Sequence, residues 1–384
     1  MRALPLAWLD ERVEAGLLRK GAEGVTHAPR YLNGEALTAS HLSPDVRYYL
    51  FERARISLAS SSVILDDRLV VIERASGADG AAQDCAAGHL LAHDGDTVIV
   101  RFGNPGSLQK GIFLGGNGSS NYYHWMVEIL AKLEFLPQLP ERYRKYPLLV
   151  SEDIIRIPSL RDTLGVFARG HEVTVLSRKS VYLVGELIYI NSPSTLPFNF
   201  SGNRAFRFTD AVIDKSSIDF LAGTALQAAR AAQSIAEFPE KIFLCRKDGL
   251  RNYNQGEVLD QLLPRGFCKL FMEDLSFLDQ VRAMRDAKVI VGPTGAAWTN
   301  LIFCRPGTKA LCWMAEELGD FSPYSSIAGM AGVDMRYITY RAGVRSTRKL
   351  HFTSYRVEPA MIEEGLAALG IPAAPAGSQG HPGQ

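Results

Sequence analysis

From Asn121 onward the chain alternates short apolar runs with longer amphipathic stretches, and that rhythm limits its folds more than any other feature. Asn121–Leu136 reads as a helix, 147–151 as a strand, 159–168 as a helix and 172–176 as a strand, with one or two more strands in Val181–Ile190. A long helical stretch follows over 209–237, interrupted only by Gly223. A second series then begins, with strands at 241–245, 267–271, 288–292, 309–314 and 335–340. Helices at 255–263, 277–286, 297–303, 323–331 and 359–369 lie between and after them. Strands alternating with helices of about 10–15 residues form βαβ units, hence parallel sheets covered by helices. Two such series joined by one helix predict an α/β chain with two facing Rossmann-like domains. Ligands in such sheets bind beyond the carboxyl ends of the strands, so the cleft between the domains is the expected site.

Ahead of this lies a β-rich N-terminal lead-in, residues 1–113. Its runs Ser62–Leu65, Leu69–Ile72 and Thr97–Val100 are bounded by turn signals at Asp66-Asp67, Gly77 to Gly80 and Asp94-Gly95. The expected division is a lead-in over 1–113, a first Rossmann-like domain over 114–208, a connecting helix over 209–237, a second Rossmann-like domain over 238–371 and a disordered Pro/Gly-rich tail over 372–384.

Composition excludes several classes. With 47% hydrophobic and 22% charged residues the chain is an ordinary globular protein, neither fibrous nor disordered. Its 42 basic and 41 acidic residues leave a net charge of +1, against the basic excess that a nucleic-acid binder needs. The five cysteines form no CxxC pair, so neither a zinc site nor a disulfide framework is indicated. Scattered reduced thiols and the lack of a long apolar segment predict a cytoplasmic protein that stays where it is made. The apolar start, Met1 to Leu9, is cut short by Asp10-Glu11-Arg12, too soon for a signal-peptide core. Peripheral contact with the inner face of a membrane stays open.

Three constellations could carry chemistry. In the first, the loop Gly115-Gly116-Asn117-Gly118 runs into the 121–136 helix. Its glycines allow backbone N–H groups to approach an anion at a helix start. Asn121 stands where a dinucleotide fingerprint needs its third glycine, which argues against NAD. Asn121, His124 and Glu128 share one face of the predicted helix, and i,i+4 spacing lets His124 and Glu128 tune each other for proton transfer. In the second, the strand ending at Val291 runs into Gly292-Pro293-Thr294-Gly295-Ala296, whose small residues admit a phosphate to a helix start. In the third, Arg246 and Lys247 follow a strand end, with Arg251, Asn252 and Asn254 close behind, a cluster able to neutralise a diphosphate without a metal. Each also has a plain structural reading: a solvated helix face, a βα turn and a solvated loop.

Weaker signals resolve structurally. Asp94-Gly95-Asp96 has the DxD form of some metal–diphosphate sites, but Asp-Gly favours a hairpin turn. His89 and His93 lack the glutamate of an HExxH site. No GxSxG elbow or Walker loop occurs.

Together these motifs resemble glycosyltransferase family 61, whose bacterial members include capsular polysaccharide biosynthesis proteins. The likeness rests on Asn121-Tyr122-Tyr123-His124-Trp125 with Glu128, on Arg246, Arg251 and Asn254, on Ser276-Phe277 with Gln280, and on Gly292, Gly295, Ala296, Thr299, Asn300 and Phe303, in that order over roughly residues 55–345. It implies a GT-B-like fold and inverting, metal-independent transfer of a sugar from a nucleotide-sugar donor to a saccharide or lipid-linked saccharide acceptor. No cofactor or metal is expected, and no nucleic-acid partner. His124 or Glu128 would deprotonate the acceptor hydroxyl, with Gly116, Gly118 and Asn121 nearby. Arg246, Lys247 or Arg251, with Asn254, Gly292, Thr294, Gly295, Ala296 and Asn300, would hold the donor.

The chain departs from the family pattern in three places. Thr294 stands where a histidine is usual, Trp313 where a glutamate commonly closes the next strand, and Gln255 where glutamate is typical. Glu316 or Glu317 could replace the missing ribose ligand. Thr294 also motivates the alternative of a non-catalytic subunit that binds sugar nucleotides or scaffolds a polysaccharide assembly system. A pyruvyl or phosphosugar transferase of similar architecture is a third reading.

Overall fold

The computed structural model describes residues 1–9, 15–32, 34–66, 68–73, 84–94, 96–197, 205–232, 236–247, 249, 251–344, 347–350 and 352–373. The turn signals at Gly77 to Gly80, the Gly95 position, the Asp10-Glu11-Arg12 break and the tail from residue 374 lie outside them. The chain divides into two compact units. Unit 1 is Met1–Gly24, Ser40–Arg204 and Asp210–Thr224, and unit 2 is Val25–Ala39, Ala205–Thr209 and Ala225–Gln384.

Unit 1 is organised on an eleven-stranded mixed sheet. Its parallel part runs in the order Val173–Leu176, Leu148–Ser151, Gly106–Phe113, Tyr182–Ile190. The sheet continues antiparallel through Val46–Ile56, Ser62–Leu65 and Leu69–Ile72, then passes to Arg2–Trp8, Thr97–Val100 and Leu90–Asp94, while Ala15–Arg19 pairs with Val46–Ile56. The 1–113 segment is therefore not a separate lead-in. It supplies most strands of the same sheet, and Gly106–Phe113 is itself a strand of the parallel part. The join is made by Val46–Ile56, whose register with the last parallel strand runs from Tyr182↔Ile56 to Ile190↔Tyr48. Phe51, Ala54, Ile56, Val184, Leu187 and Tyr189 are buried in one core across that join.

Unit 2 is a doubly wound domain. Its five-stranded sheet is parallel throughout, in the order Cys268–Leu270, Lys241–Leu244, Val289–Pro293, Lys309–Ala315, Asp334–Tyr340. Val289–Pro293 is buried at every position, as strands covered on both faces require. Gln255–Leu262, Phe277–Asp286, Pro323–Ala331 and Pro359–Ala368 are among the helices of this unit, close to their expected bounds. The order reverses between Lys241–Leu244 and Val289–Pro293. This is the switch point where the carboxyl ends of such a sheet open a ligand crevice.

The connecting helix is shorter than expected. It spans Lys215–Ala231 and is preceded by a single tight turn, Phe208–Asp210. No helix among the described residues is long and apolar enough to cross a membrane.

Candidate active site

The stretch expected as one α-helix over 121–136 is three kinds of turn. Asn121 caps it by accepting the Tyr123 N–H at 2.9 Å, and Tyr122–His124 forms a first α turn. Trp125–Ile129 then widens into a π turn, and Leu130–Gln138 tightens to 3-10 geometry up to Pro137. Single π turns recur at functional sites because the extra residue re-aims side chains. Trp125 anchors this one: it is fully buried and its indole N–H donates to the Thr163 hydroxyl at 2.8 Å.

His124 and Glu128 meet as their spacing predicts. Both are 8% exposed, and His124 Nδ1 is paired with Glu128 Oε2. The other carboxylate oxygen, Oε1, accepts the Leu196 N–H at 2.8 Å. A carboxylate held from both sides fixes the imidazole's rotation and places its Nδ1 proton. This is the base-plus-orienter arrangement of hydrolytic triads.

The glycine loop beside it has a different role from the one expected. The Gly116 N–H donates to Leu58 O at 3.1 Å, and the Asn117 N–H to the Ser61 hydroxyl at 3.0 Å. Asn117 Oδ1 in turn accepts the Ser61 N–H at 2.9 Å. Gly116 and Gly118 sit at φ of +141° and +73°, so glycine is needed for the chain path. The loop clamps the Leu58–Ser61 turn, and these N–H groups are engaged within the protein instead of being presented to an anion.

A small polar pocket adjoins Glu128. Glu73, Lys132, Ser61, Ser192 and Ser194 are among the residues that line it. Lys132 is buried, with its ammonium 3.3 Å from Glu73 Oε2 and 4.9 Å from the Tyr189 ring centre. Glu73 also accepts the Tyr189 hydroxyl at 2.6 Å and the Ser192 N–H. Sequence reading passed over both charges. The usable signal was Lys132 itself, a lone charge inside the apolar run Leu130-Ala131-Lys132-Leu133.

In unit 2, the residues after the two switch-point strands come together. Arg246 follows Lys241–Leu244 and donates through Nη2 to Thr294 O, just past Val289–Pro293. A Cβ on Gly295 would stand 2.7 Å from that same nitrogen, so the absence of a side chain admits the guanidinium. A Cβ on Gly292 would meet Leu244 Cβ at 2.7 Å, so glycine here serves close strand packing. Gln255 fixes the Arg246 backbone from both sides: its Oε1 accepts the Arg246 N–H at 2.7 Å and its Nε2 donates to the Arg246 carbonyl at 2.9 Å. A glutamate, the usual residue, has no N–H for the second bond when ionised.

Arg251 is the second cation here. Burial, and then the adjacent Arg246 charge, pull its pKa below the ordinary guanidinium value. Neither arginine forms an ion pair with a carboxylate among the described residues, and the Arg246 Nε–H is buried without a partner there. Two like charges near each other, with a donor unfilled among the described residues, are an arrangement that can accept an anion.

The remaining expected donor residues are placed as follows. Lys247 pairs with Asp274 at the surface, and Asp248 lies outside the described residues. Asn254 is occupied with structure: its amide bridges the N–H and carbonyl of Val357 at 2.9 Å each. Asn300 is fully buried and donates to Gln280 Oε1 at 3.0 Å. Thr294 is buried beneath the turn, and Ala296 opens the following turn, Ala296–Phe303. Trp313 is core, packed on Phe243 and Tyr253. Glu316 pairs with Arg341 at 2.8 Å, and Glu317 accepts the Ala342 and Gly343 N–H groups, so both suggested substitutes are engaged elsewhere in unit 2. His93 accepts the Cys85 N–H, and His89 pairs with the Ser62 hydroxyl at 2.8 Å. Asp94 and Thr97 face each other across the hairpin that the Asp-Gly turn predicted.

The family model described as Glycosyltransferase 61 matches residues 122–311, a span that runs from the His124–Glu128 turn through the arginine pair to the strand after Gly295. No curated protein matches the chain. The chain therefore carries a glycosyltransferase family 61 domain over residues 122–311 and is a glycosyltransferase.

Proposed function

We propose that the chain is an inverting, metal-independent transferase that moves a sugar from a nucleotide-sugar donor to a saccharide or lipid-linked saccharide acceptor in cell-surface or capsular polysaccharide synthesis. A GT-B-type division of labour is part of the proposal, with acceptor chemistry in unit 1 and the donor in unit 2, as is a cytoplasmic location at the inner face of a membrane.

The observation that carries the reading is the Arg246–Arg251 pair at the switch point, two guanidinium groups that pair with no carboxylate among the described residues. A departing nucleoside diphosphate supplies the missing negative charge. The arginines would then stabilise the leaving group as its charge develops, the part a divalent cation plays in other transferases. Arg246 would bind the phosphate oxygens through the guanidinium donors that the bond to Thr294 O leaves unfilled.

In unit 1, His124 acts as the general base through Nε2. Glu128 orients the ring and stabilises the imidazolium that forms when the acceptor hydroxyl loses its proton. The hydroxyl oxygen attacks the anomeric carbon, the bond to the diphosphate breaks on the opposite face, and the configuration inverts. The test is isothermal titration of nucleoside diphosphates in EDTA. Binding by the wild type that is lost in Arg246→Ala supports the reading. Binding that needs a divalent cation, or that survives the substitution, refutes it.

A further inference from the structure

The pocket beside Glu128 holds charges that the transfer chemistry above does not use. Lys132 is 3% exposed, and Glu73 is its one hydrogen-bond acceptor among the described residues. An ammonium has three donors, so two remain for a ligand. Glu73 cannot swing to meet them, because the Ser192 N–H holds one of its oxygens and the Tyr189 hydroxyl the other. The free space is about 20 Å³, room for one water-sized group. Ser61 and Ser194 add hydroxyls to the wall.

The charge in the pocket selects the kind of group. Glu73 neutralises Lys132, and Glu128 adds a further carboxylate to the same wall. A carboxylate or phosphate would meet net negative charge there. A neutral hydroxyl would receive the Lys132 donors and give its own proton to a serine or carboxylate oxygen.

The geometry points to this pocket as the seat of a second, non-reacting hydroxyl of a neutral acceptor sugar, bound by Lys132 with Glu73 as its positioning residue. The inference rests on the transferase reading and names the acceptor class for it. With one hydroxyl anchored beside Glu128, the neighbouring hydroxyl is held at the His124–Glu128 pair. Acceptors lacking the anchored hydroxyl, or bearing a carboxylate in its place, are rejected.

The test uses saturation-transfer NMR and titration with a panel of neutral methyl glycopyranosides, their monodeoxy derivatives and a methyl glycuronoside. Wild type, Lys132→Met and the charge-neutral pair Glu73→Gln/Lys132→Met are compared. The paired variant leaves no buried charge uncompensated, so it stays folded where the single one fails. The expected result is that one neutral glycoside binds the wild type, and that its affinity falls at least tenfold in the paired variant. One monodeoxy derivative should bind equally weakly to both proteins, and the glycuronoside should bind no better than that derivative. Equal affinity of the neutral glycoside for wild type and variant overturns the inference, as does no binding by any neutral glycoside, or a preference for the glycuronoside. Nucleoside diphosphate titration of the same samples keeps the two readings apart. Its loss in wild type would refute the transferase mechanism, whereas its retention in the paired variant shows that only the acceptor pocket has changed.

Discussion

Replacing Glu128 by glutamine tests the division of roles within the His124–Glu128 pair. The change is nearly isosteric, and the glutamine Oε1 can keep the 2.8 Å bond from the Leu196 N–H. Its Nε2 then faces His124 Nδ1 with a donor in place of an acceptor. The imidazole must answer with a lone pair at Nδ1, which moves its proton to Nε2. A ring protonated at Nε2 cannot accept a proton from the acceptor hydroxyl. In triads, tautomer loss of this kind costs about 10⁴ in kcat, so a fall of roughly 10³–10⁴ is expected here, or about 4–5.5 kcal/mol at 1.36 kcal/mol per decade. The assay is release of nucleoside diphosphate from a donor chosen by thermal-shift screening, with the midpoint of unfolding measured in parallel. The midpoint should move little, and His124→Gln should lose a similar factor. The double variant should be no worse than either single one, because the two groups act as one unit. A Glu128→Gln enzyme within tenfold of wild type would refute the tautomer argument. Full loss in Glu128→Gln with a fully active His124→Gln would make Glu128 itself the base.

Further outcomes follow from the same geometry. Arg246→Lys should weaken nucleoside diphosphate binding at least tenfold by titration, because one ammonium nitrogen cannot give phosphate oxygens the paired, parallel N–H bonds of a guanidinium that is also tied to Thr294 O. Gly292→Ala should lower stability by about 1–3 kcal/mol in urea titration, since its Cβ would lie 2.7 Å from Leu244 Cβ inside a buried strand pair. Burial pushes the His89 pKa down to about 4, so the folded state resists a proton that the unfolded chain accepts. The stability this residue contributes is present above about pH 6.5 and is lost as pH falls toward 4, by an amount on the order of 3 kcal/mol. His89→Gln should flatten that part of the urea-denaturation profile, and an unchanged slope would contradict it.

The sequence disclosed most of unit 2 and less of unit 1, for a physical reason. Strands covered on both faces read as unbroken apolar runs, and Val289-Ile290-Val291 is legible at sight. Gly106–Phe113 opens with Ser107, Gln109 and Lys110, so its place in the parallel part of a sheet was hidden until Tyr182–Ile190 and Leu148–Ser151 were seen beside it. Periodicity also could not show that Val46–Ile56 joins the lead-in strands to the parallel part, because register between distant segments leaves no local mark. At the site, i,i+4 spacing sufficed to pair His124 with Glu128, and the π turn between them left that pairing intact. Spacing could not tell a glycine loop that cradles an anion from one that clamps the Leu58–Ser61 turn. Nor could it tell Asn254, bonded to Val357, from Arg246, whose Nε–H has no partner among the described residues.

The most direct test of the account is a proton NMR time course of the wild-type enzyme with an α-linked nucleotide sugar and its acceptor in EDTA. The account predicts that nucleoside diphosphate is released, that a β-anomeric product signal grows with it, and that chelation leaves the rate unchanged. An α-anomeric product, or transfer that stops in EDTA and resumes with a divalent cation, would contradict it.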